Sequence, residues 1–509
     1  MVEFPSETMI LNIIAEGNTF IVNCEFERRM KMLGLYIALG VVVTFFAVIL
    51  IRALAFKPQK STVVDTCPVE FDKDGAVDAL AELIKCRTVS YNDPAMEDEA
   101  EFEKLIDLLP RLYPNVFASC EFMQLPHRAL LFRWPGKQAG DPAVMMAHYD
   151  VVPVDEACWE KPPFDAVRED GVLWGRGTLD TKGTFNGALF AADALIAQGF
   201  VPEQDVYFAF SGGEEVNGKG APTIVEYFKE KEIVPSLVVD EGGAVVENVF
   251  PGVKKPCALI GIGEKGMINA QYKAVSRGGH ASSPPAVTPI GQLTKAAQRV
   301  LKHPFPMHIT PPAGLMFDRL GRHSSFLYRL IFANLWCFGW VLDLLGKRSG
   351  GEMNALLRTT TAFTQMEGSS ARNVIPPEAT LVANMRLNPA DTVEGALAYL
   401  RKTVKDESVE ISALEASEPS RVSTTECRGW EKICAAVSGT WPEAIVSPYL
   451  MIQCSDSRHW GCISDKVYRF SAMDLTAEER KTIHGHNERV RLDCIHRAVE
   501  FYIRLLRQM

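Results

Sequence analysis

Three apolar runs in this chain end on residues that can bind a metal. Residues 143–147 (A-V-M-M-A) stop at His148-Tyr149-Asp150, and residues 206–210 (V-Y-F-A-F) at Ser211-Gly212-Gly213-Glu214-Glu215. Residues 237–239 lead straight into Asp240-Glu241-Gly242-Gly243. Runs of this length read as buried strands, and in open α/β sheets ligands gather beyond the carboxyl ends of strands. A further carboxylate, Asp180, sits in W-G-R-G-T-L-D-T-K-G just before a helical stretch, and His484 lies in H-G-H-N-E near the C-terminus. Singly, each has an ordinary explanation. A solvated turn accounts for Glu214-Glu215, and acidic residues favour helix N-termini whatever their function. Three strands that each deliver His, Asp or Glu at the same end form a constellation.

Two imidazoles with three carboxylates (His148, Asp180, Glu215, Glu241 and His484) suit a pair of borderline cations such as Zn²⁺, one carboxylate bridging. Metals about 3.5–4 Å apart polarise a carbonyl and lower the pKa of a bridging water. A base must still take that water's proton, and Glu214 is the spare carboxylate. Asp150, two residues beyond His148, can hold its imidazole in one tautomer.

The surrounding sequence must position these groups. Helical periodicity marks residues 76–85, 99–109 and 184–198, the last closed by Gly199, and an amphipathic helix starts at Asp493. From Glu264 the pattern changes. Residues 267–275 read as a strand, 278–280 as a turn, 290–301 as a helix, 359–365 and 380–387 as strands, 393–404 as a helix and 409–414 as a strand. That order describes a small two-layer α+β domain. It reads as an insertion, because buried-sheet character resumes after about Pro419. The expected division is a catalytic domain in two parts, 57–263 and 418–509, around an inserted domain at 264–417. Within the insertion, residues 330–342 (L-I-F-A-N-L-W-C-F-G-W-V-L) carry no charge. As one helix they would align Phe332, Trp336 and Trp340 in an aromatic stripe. Burial against the insertion's own sheet is the plain explanation; the surplus apolar surface would otherwise face an acyl chain or a membrane.

With 509 residues, the chain exceeds one ordinary core. Its net charge of −10 argues against a nucleic-acid partner. Residues 32–51 form an uncharged run of 20, enough to span a bilayer as a helix after an acidic tail at 1–31. Arg28, Arg29 and Lys31 on one side balance Arg52, Lys57 and Lys60 on the other, so the flanks give no orientation. No small-residue cleavage site follows, which favours an anchor over a removed signal. Residues 1–27 hold five Glu and no Lys or Arg, and Met30 and Met32 are alternative starts. The 12 Cys include no C-x-x-C pair, so they suggest neither a zinc ribbon nor a disulfide framework.

Taken together, H-Y-D, the Asp of G-R-G-T-L-D-T-K-G, S-G-G-E-E, D-E-G-G and H-G-H-N-E resemble the dizinc aminoacylase and carboxypeptidase family. The likeness covers most of the chain beyond about residue 67. N-A-L-L-R-T-T-T-A-F-T (354–364) and N-V-I-P-P (373–377) bring it nearest to carboxypeptidase S and the N-acyl-amino-acid hydrolases. The resemblance implies an α/β catalytic domain with a central mixed sheet, interrupted by a ferredoxin-like lid and dimerisation domain. It also implies two Zn²⁺ per subunit, with Co²⁺ or Mn²⁺ as substitutes. His148 and Glu241 would hold one zinc, Glu215 and His484 the other, with Asp180 bridging; the neighbour Asp240 leaves the Glu241 position open by one residue. Glu214 would be the base and Asp150 would orient His148. His280 would reach into a partner subunit's site in a homodimer and stabilise the oxyanion. Asn373 and Arg386 would bind the substrate's free carboxylate, for which a guanidinium fork is suited. The expected reaction is Gly-Xaa carboxypeptidase-like hydrolysis, or alternatively N-acyl-amino-acid hydrolysis or synthesis. A non-catalytic receptor on the same fold is the remote alternative, and the filled ligand and base positions oppose it. An anchored enzyme of this kind is expected to face a lumenal, vacuolar or periplasmic space. The chain departs from the family at Cys454-Ser455-Asp456, where Gly-Thr-Asp is usual, and Gln453 replaces a small residue. His303, His308, His323, His459 and His486 are expected to be structural or on the surface.

Overall fold

A computed structural model of the chain describes residues 7–58 and 66–509, with side chains from Arg28 onward in the first segment. The first six residues of the tail and residues 59–65, at the start of the expected catalytic domain, lie outside the described residues. Most of the tail and the whole apolar run form one helix, Glu7–Ala55. From Arg28 to Ala55 it is long and apolar enough to cross a membrane, a property that spans and signal sequences share, and little of it is buried.

An eight-stranded mixed sheet organises the rest. Its order is Glu121–Leu125, Ala129–Trp134, Gln204–Ser211, Gln138–His148, Leu237–Val246, Val467–Leu475, Cys257–Glu264 and Ile445–Met451. Gln204–Ser211 and Leu237–Val246 flank Gln138–His148, both parallel to it, so three of the singled-out motifs open at one end of the sheet. The apolar run at 143–147 sends Ala143, Met145 and Ala147 to one face and Val144 and Met146 to the other. Helices Lys182–Ala197 and Leu492–Leu506 pack on the first face and Gly220–Glu230 on the second. With both faces covered, these strands show a continuous apolar run where a half-exposed strand would alternate.

After Glu264 the chain leaves this sheet and enters a four-stranded antiparallel one, ordered Thr360–Glu367, Glu378–Leu387, Gly266–Val275 and Val409–Ser417. Here burial alternates residue by residue, because helices Pro289–Lys302 and Val393–Val404 cover only one face. The expected turn at 278–280 is in part a short strand, Gly279–His280, paired with Val374–Ile375.

The aromatic stripe does not form. The chain breaks at Ala333-Asn334 into helices Phe326–Phe332 and Leu335–Ser349, which meet at 109°. Phe332 goes into the core against Phe250 and Phe317, while Trp336 and Trp340 are exposed. Burying a Phe side chain contributes about 1.5–3 kcal/mol, enough to fix the first helix on the core whatever the second does. Carbonyls freed by the break find donors. The Ala333 carbonyl accepts from Arg52, and the Asn334 amide donates to the Leu330 carbonyl.

Candidate metal centre

His148 ends its strand with Nδ1 3.0 Å from the Asp150 backbone carbonyl. A carbonyl only accepts, so Nδ1 carries a proton and Nε2 is the nitrogen left with a lone pair that could bind a metal. Nε2 lies 3.0 Å from Asp180 Oδ1 and 3.5 Å from Glu241 Oε1. The other oxygen of Asp180 is 3.0 Å from His484 Nε2, which is also 3.0 Å from Glu215 Oε2. Two donor triads therefore share one carboxylate: His148, Asp180 and Glu241, and Asp180, Glu215 and His484.

Glu241 reaches its place through a β-bulge. Asp240 pairs with Arg469 and Gly243 with Phe470, so Glu241 and Gly242 are extra residues on their strand. The bulge turns Glu241 toward His148, while buried Asp240 accepts the Ser457 N–H at 2.8 Å. The geometry thus separates the two neighbours that sequence left open. Both glycines of D-E-G-G are required here. Gly242 has φ 140°, and a Cβ on Gly243 would lie 1.8 Å from the Leu259 carbonyl oxygen.

Asp150 does more than face His148, whose Nδ1 is 3.4 Å from its Oδ1. Its carboxylate accepts the backbone N–H groups of Glu214 (3.1 Å) and Glu215 (3.2 Å) and so ties the S-G-G-E-E turn to the His148 strand. Two buried groups were not singled out from sequence. Glu488 pairs with Arg176 at 2.6 Å and accepts the N–H groups of Gly177, Leu179 and Asp180, which shapes the loop carrying Asp180. Asp456 accepts from Ser211 beside the cluster. The available signal was an ionisable residue inside a motif already noted: Arg176 in G-R-G, Glu488 in H-G-H-N-E and Asp456 in C-S-D.

The donor set calls for cations. Burial, with Asp180 adding, pushes the Glu241 carboxyl up to about 8, and burial beside Asp456 pushes Asp240 up to about 7. Burial also lifts Glu214 well above the carboxylate range. Hydrogen bonds with Asp180 and Glu215 raise His484 to about 10. So many buried carboxylates ionise together only with positive charge among them, and metal ions can replace the histidine protons in that role. Glu215 Oε1 is buried without a hydrogen-bond partner, as a coordinating oxygen would be. The residues fit a two-cation site.

The substrate-side candidates are less gathered. Arg386, on Glu378–Leu387, reaches the other sheet's loop, where its guanidinium donates to Cys454 Sγ at 3.1 Å. His280 is exposed, with Nδ1 2.8 Å from Ser282 Oγ, and the Asn373 carbonyl accepts the neighbouring Ala281 N–H. Among the described residues neither His280 nor Asn373 bonds to the donor cluster.

Comparison with known proteins agrees with this architecture. Residues 144–508 match the model of peptidase family M20/M25/M40. The N-fatty-acyl-amino acid synthase/hydrolase PM20D1 of Xenopus tropicalis is 34% identical over 91% of this chain and 92% of its own length. The probable carboxypeptidase S-like 2 of Dictyostelium discoideum is 33% identical over 84% of each. The M20 family metallo-carboxypeptidase Sso-CP2 from Sulfolobus solfataricus superposes with a TM-score of 0.63 at 17% identity, covering 85% of this chain and 98% of that one. The chain belongs to peptidase family M20/M25/M40 and is an enzyme of its metallo-carboxypeptidase and amidohydrolase kind.

Proposed function

We propose that this enzyme hydrolyses a peptide or amide bond beside a free carboxylate, using two Zn²⁺ ions, and that its first helix anchors it in a membrane. The carrying observation is Asp180, whose two oxygens each lie 3.0 Å from a different histidine. In this reading His148 and Glu241 would hold one ion and Glu215 and His484 the other, with Asp180 shared between the two donor sets. When bound, the two ions supply Lewis-acid polarisation of the scissile carbonyl and acidification of a water. The chain's own side chains do the rest. Glu214, its carboxyl raised by burial, takes the water's proton and returns it to the leaving nitrogen. Asp150 holds Glu214 in position through the turn's backbone. Arg386 has no carboxylate within ion-pair distance among the described residues, so its charge is available to a substrate carboxylate, with Asn373 assisting. His280 is exposed and makes no bond to its own cluster among the described residues, which supports a role in a partner subunit's oxyanion site within a homodimer whose small sheets act as lids. The catalytic part would lie on the extracytoplasmic side.

The second reading, N-acyl-amino-acid hydrolysis or synthesis, is favoured by the Xenopus relative's 34% identity. One assay separates the two. Zinc-loaded full chain, with and without chelator, is offered Gly-Xaa dipeptides and N-fatty-acyl amino acids. Chelator-sensitive turnover confined to one panel selects that reading, and none on either removes both.

A further inference from the structure

The helix break at Asn334 joins the first helix to a strip of exposed apolar surface. Asn334 is buried; its amide donates to the Ile49 carbonyl at 3.1 Å, and its Oδ1 accepts from Arg52 Nε at 3.1 Å. Phe45 meets Trp336 edge to face, with ring centroids 5.8 Å apart. From there Leu335–Ser349 displays Trp336, Trp340 and Leu344 at four-residue intervals, 61%, 66% and 52% exposed. The preceding helix adds Phe326 and Leu327, and basic residues close both helices, Arg329 on one and Lys347 with Arg348 on the other. Large apolar side chains aligned along one face mark an interaction surface.

The first helix indicates what covers it. Ile51 ends the uncharged run, and Phe45 lies six residues inside it. At 1.5 Å per residue that is about 9 Å along the axis. Trp336, packed edge to face against Phe45, is thereby held close to that level. The apolar face of an interfacial helix sits roughly 5–10 Å into the headgroup and acyl boundary. Tryptophan is enriched in that zone, and terminal basic residues suit headgroup phosphates. Just beyond the strip, Glu352 accepts from Arg480, four residues before His484 in the sequence.

We infer that helices Phe326–Phe332 and Leu335–Ser349 are a second membrane contact, seating the catalytic part on the leaflet beside the first helix, with Trp336 and Trp340 in the upper acyl region. This rests on the proposed reading of the first helix as a membrane span.

The test uses the full chain reconstituted in phosphatidylcholine vesicles with a minor share of phosphatidylserine, their acyl chains brominated near the headgroup. The wild type floats with the vesicles and its tryptophan emission is quenched. The double variant Trp336→Ser, Trp340→Ser still floats and melts at the same temperature but loses that quenching. Leu344→Lys, which keeps both tryptophans, weakens it and guards against a misfolded double variant. Equal quenching in wild type and double variant, with both floating, overturns the second contact alone. Copy-to-copy cross-linking through Trp336→Cys would overturn it too, by assigning the strip to a dimer. A wild type that does not float overturns the span reading and this contact with it.

Discussion

Glu214 and Glu215 are neighbours in sequence, yet the proposed mechanism gives them separable tasks. Glu215 Oε2 faces His484, whereas Glu214 makes no ion pair to either histidine among the described residues. Glu214→Gln keeps the shape and removes the base, so it should retain two metals per chain and lose about 10²–10⁴-fold in turnover. Elemental analysis with steady-state rates checks this, and near-normal turnover removes Glu214 from the mechanism. Glu215→Gln should instead lower metal content, because the second triad loses a charged ligand.

At the scale of the element, the strand Leu237–Val246 carries its function in a bulge. A methyl on Gly243 would strike the Leu259 backbone, which cannot swing aside as a side chain can. Gly243→Ala should lower stability by about 1–3 kcal/mol or more, the usual range for overpacking a tight site. Because the same bulge aims Glu241, metal content should fall with it. Thermal melts and metal analysis on one preparation test both, and an unchanged melting temperature contradicts this account of the strand.

At the scale of the molecule, the position of His280 makes the site's completeness a question of assembly. It lies on the short strand Gly279–His280, which pairs only with Val374–Ile375, exposed and without a bond to its own cluster among the described residues. If it acts across a homodimer, His280→Ala and Glu214→Gln chains are each inactive alone but partly active when mixed. A heterodimer then pairs an intact Glu214 site with an intact His280 from the other subunit. No recovery after proven subunit exchange would confine His280 to its own chain, or to no catalytic part.

Much of this was legible in the sequence. A strand covered on both faces must be apolar throughout, so 143–147, 206–210 and 237–239 announced themselves, and polar residues at their ends marked the side where the ionisable groups gather. The small sheet was equally plain, because one covered face writes an alternating pattern. Contacts between distant residues were not legible. Asp240 and Glu241 are chemically alike, and only the bulge against Arg469 and Phe470 decides which one faces His148. Glu488 shapes the Asp180 loop from 308 residues away. Residues 330–342 have helical composition throughout, yet Phe332 follows the core while Asn334 follows Ile49 and Arg52. Local pattern determined which segments were buried and where ionisable groups cluster. The direction of each side chain at a strand end or a helix break depends on partners hundreds of residues away, and only the folded chain brings those together.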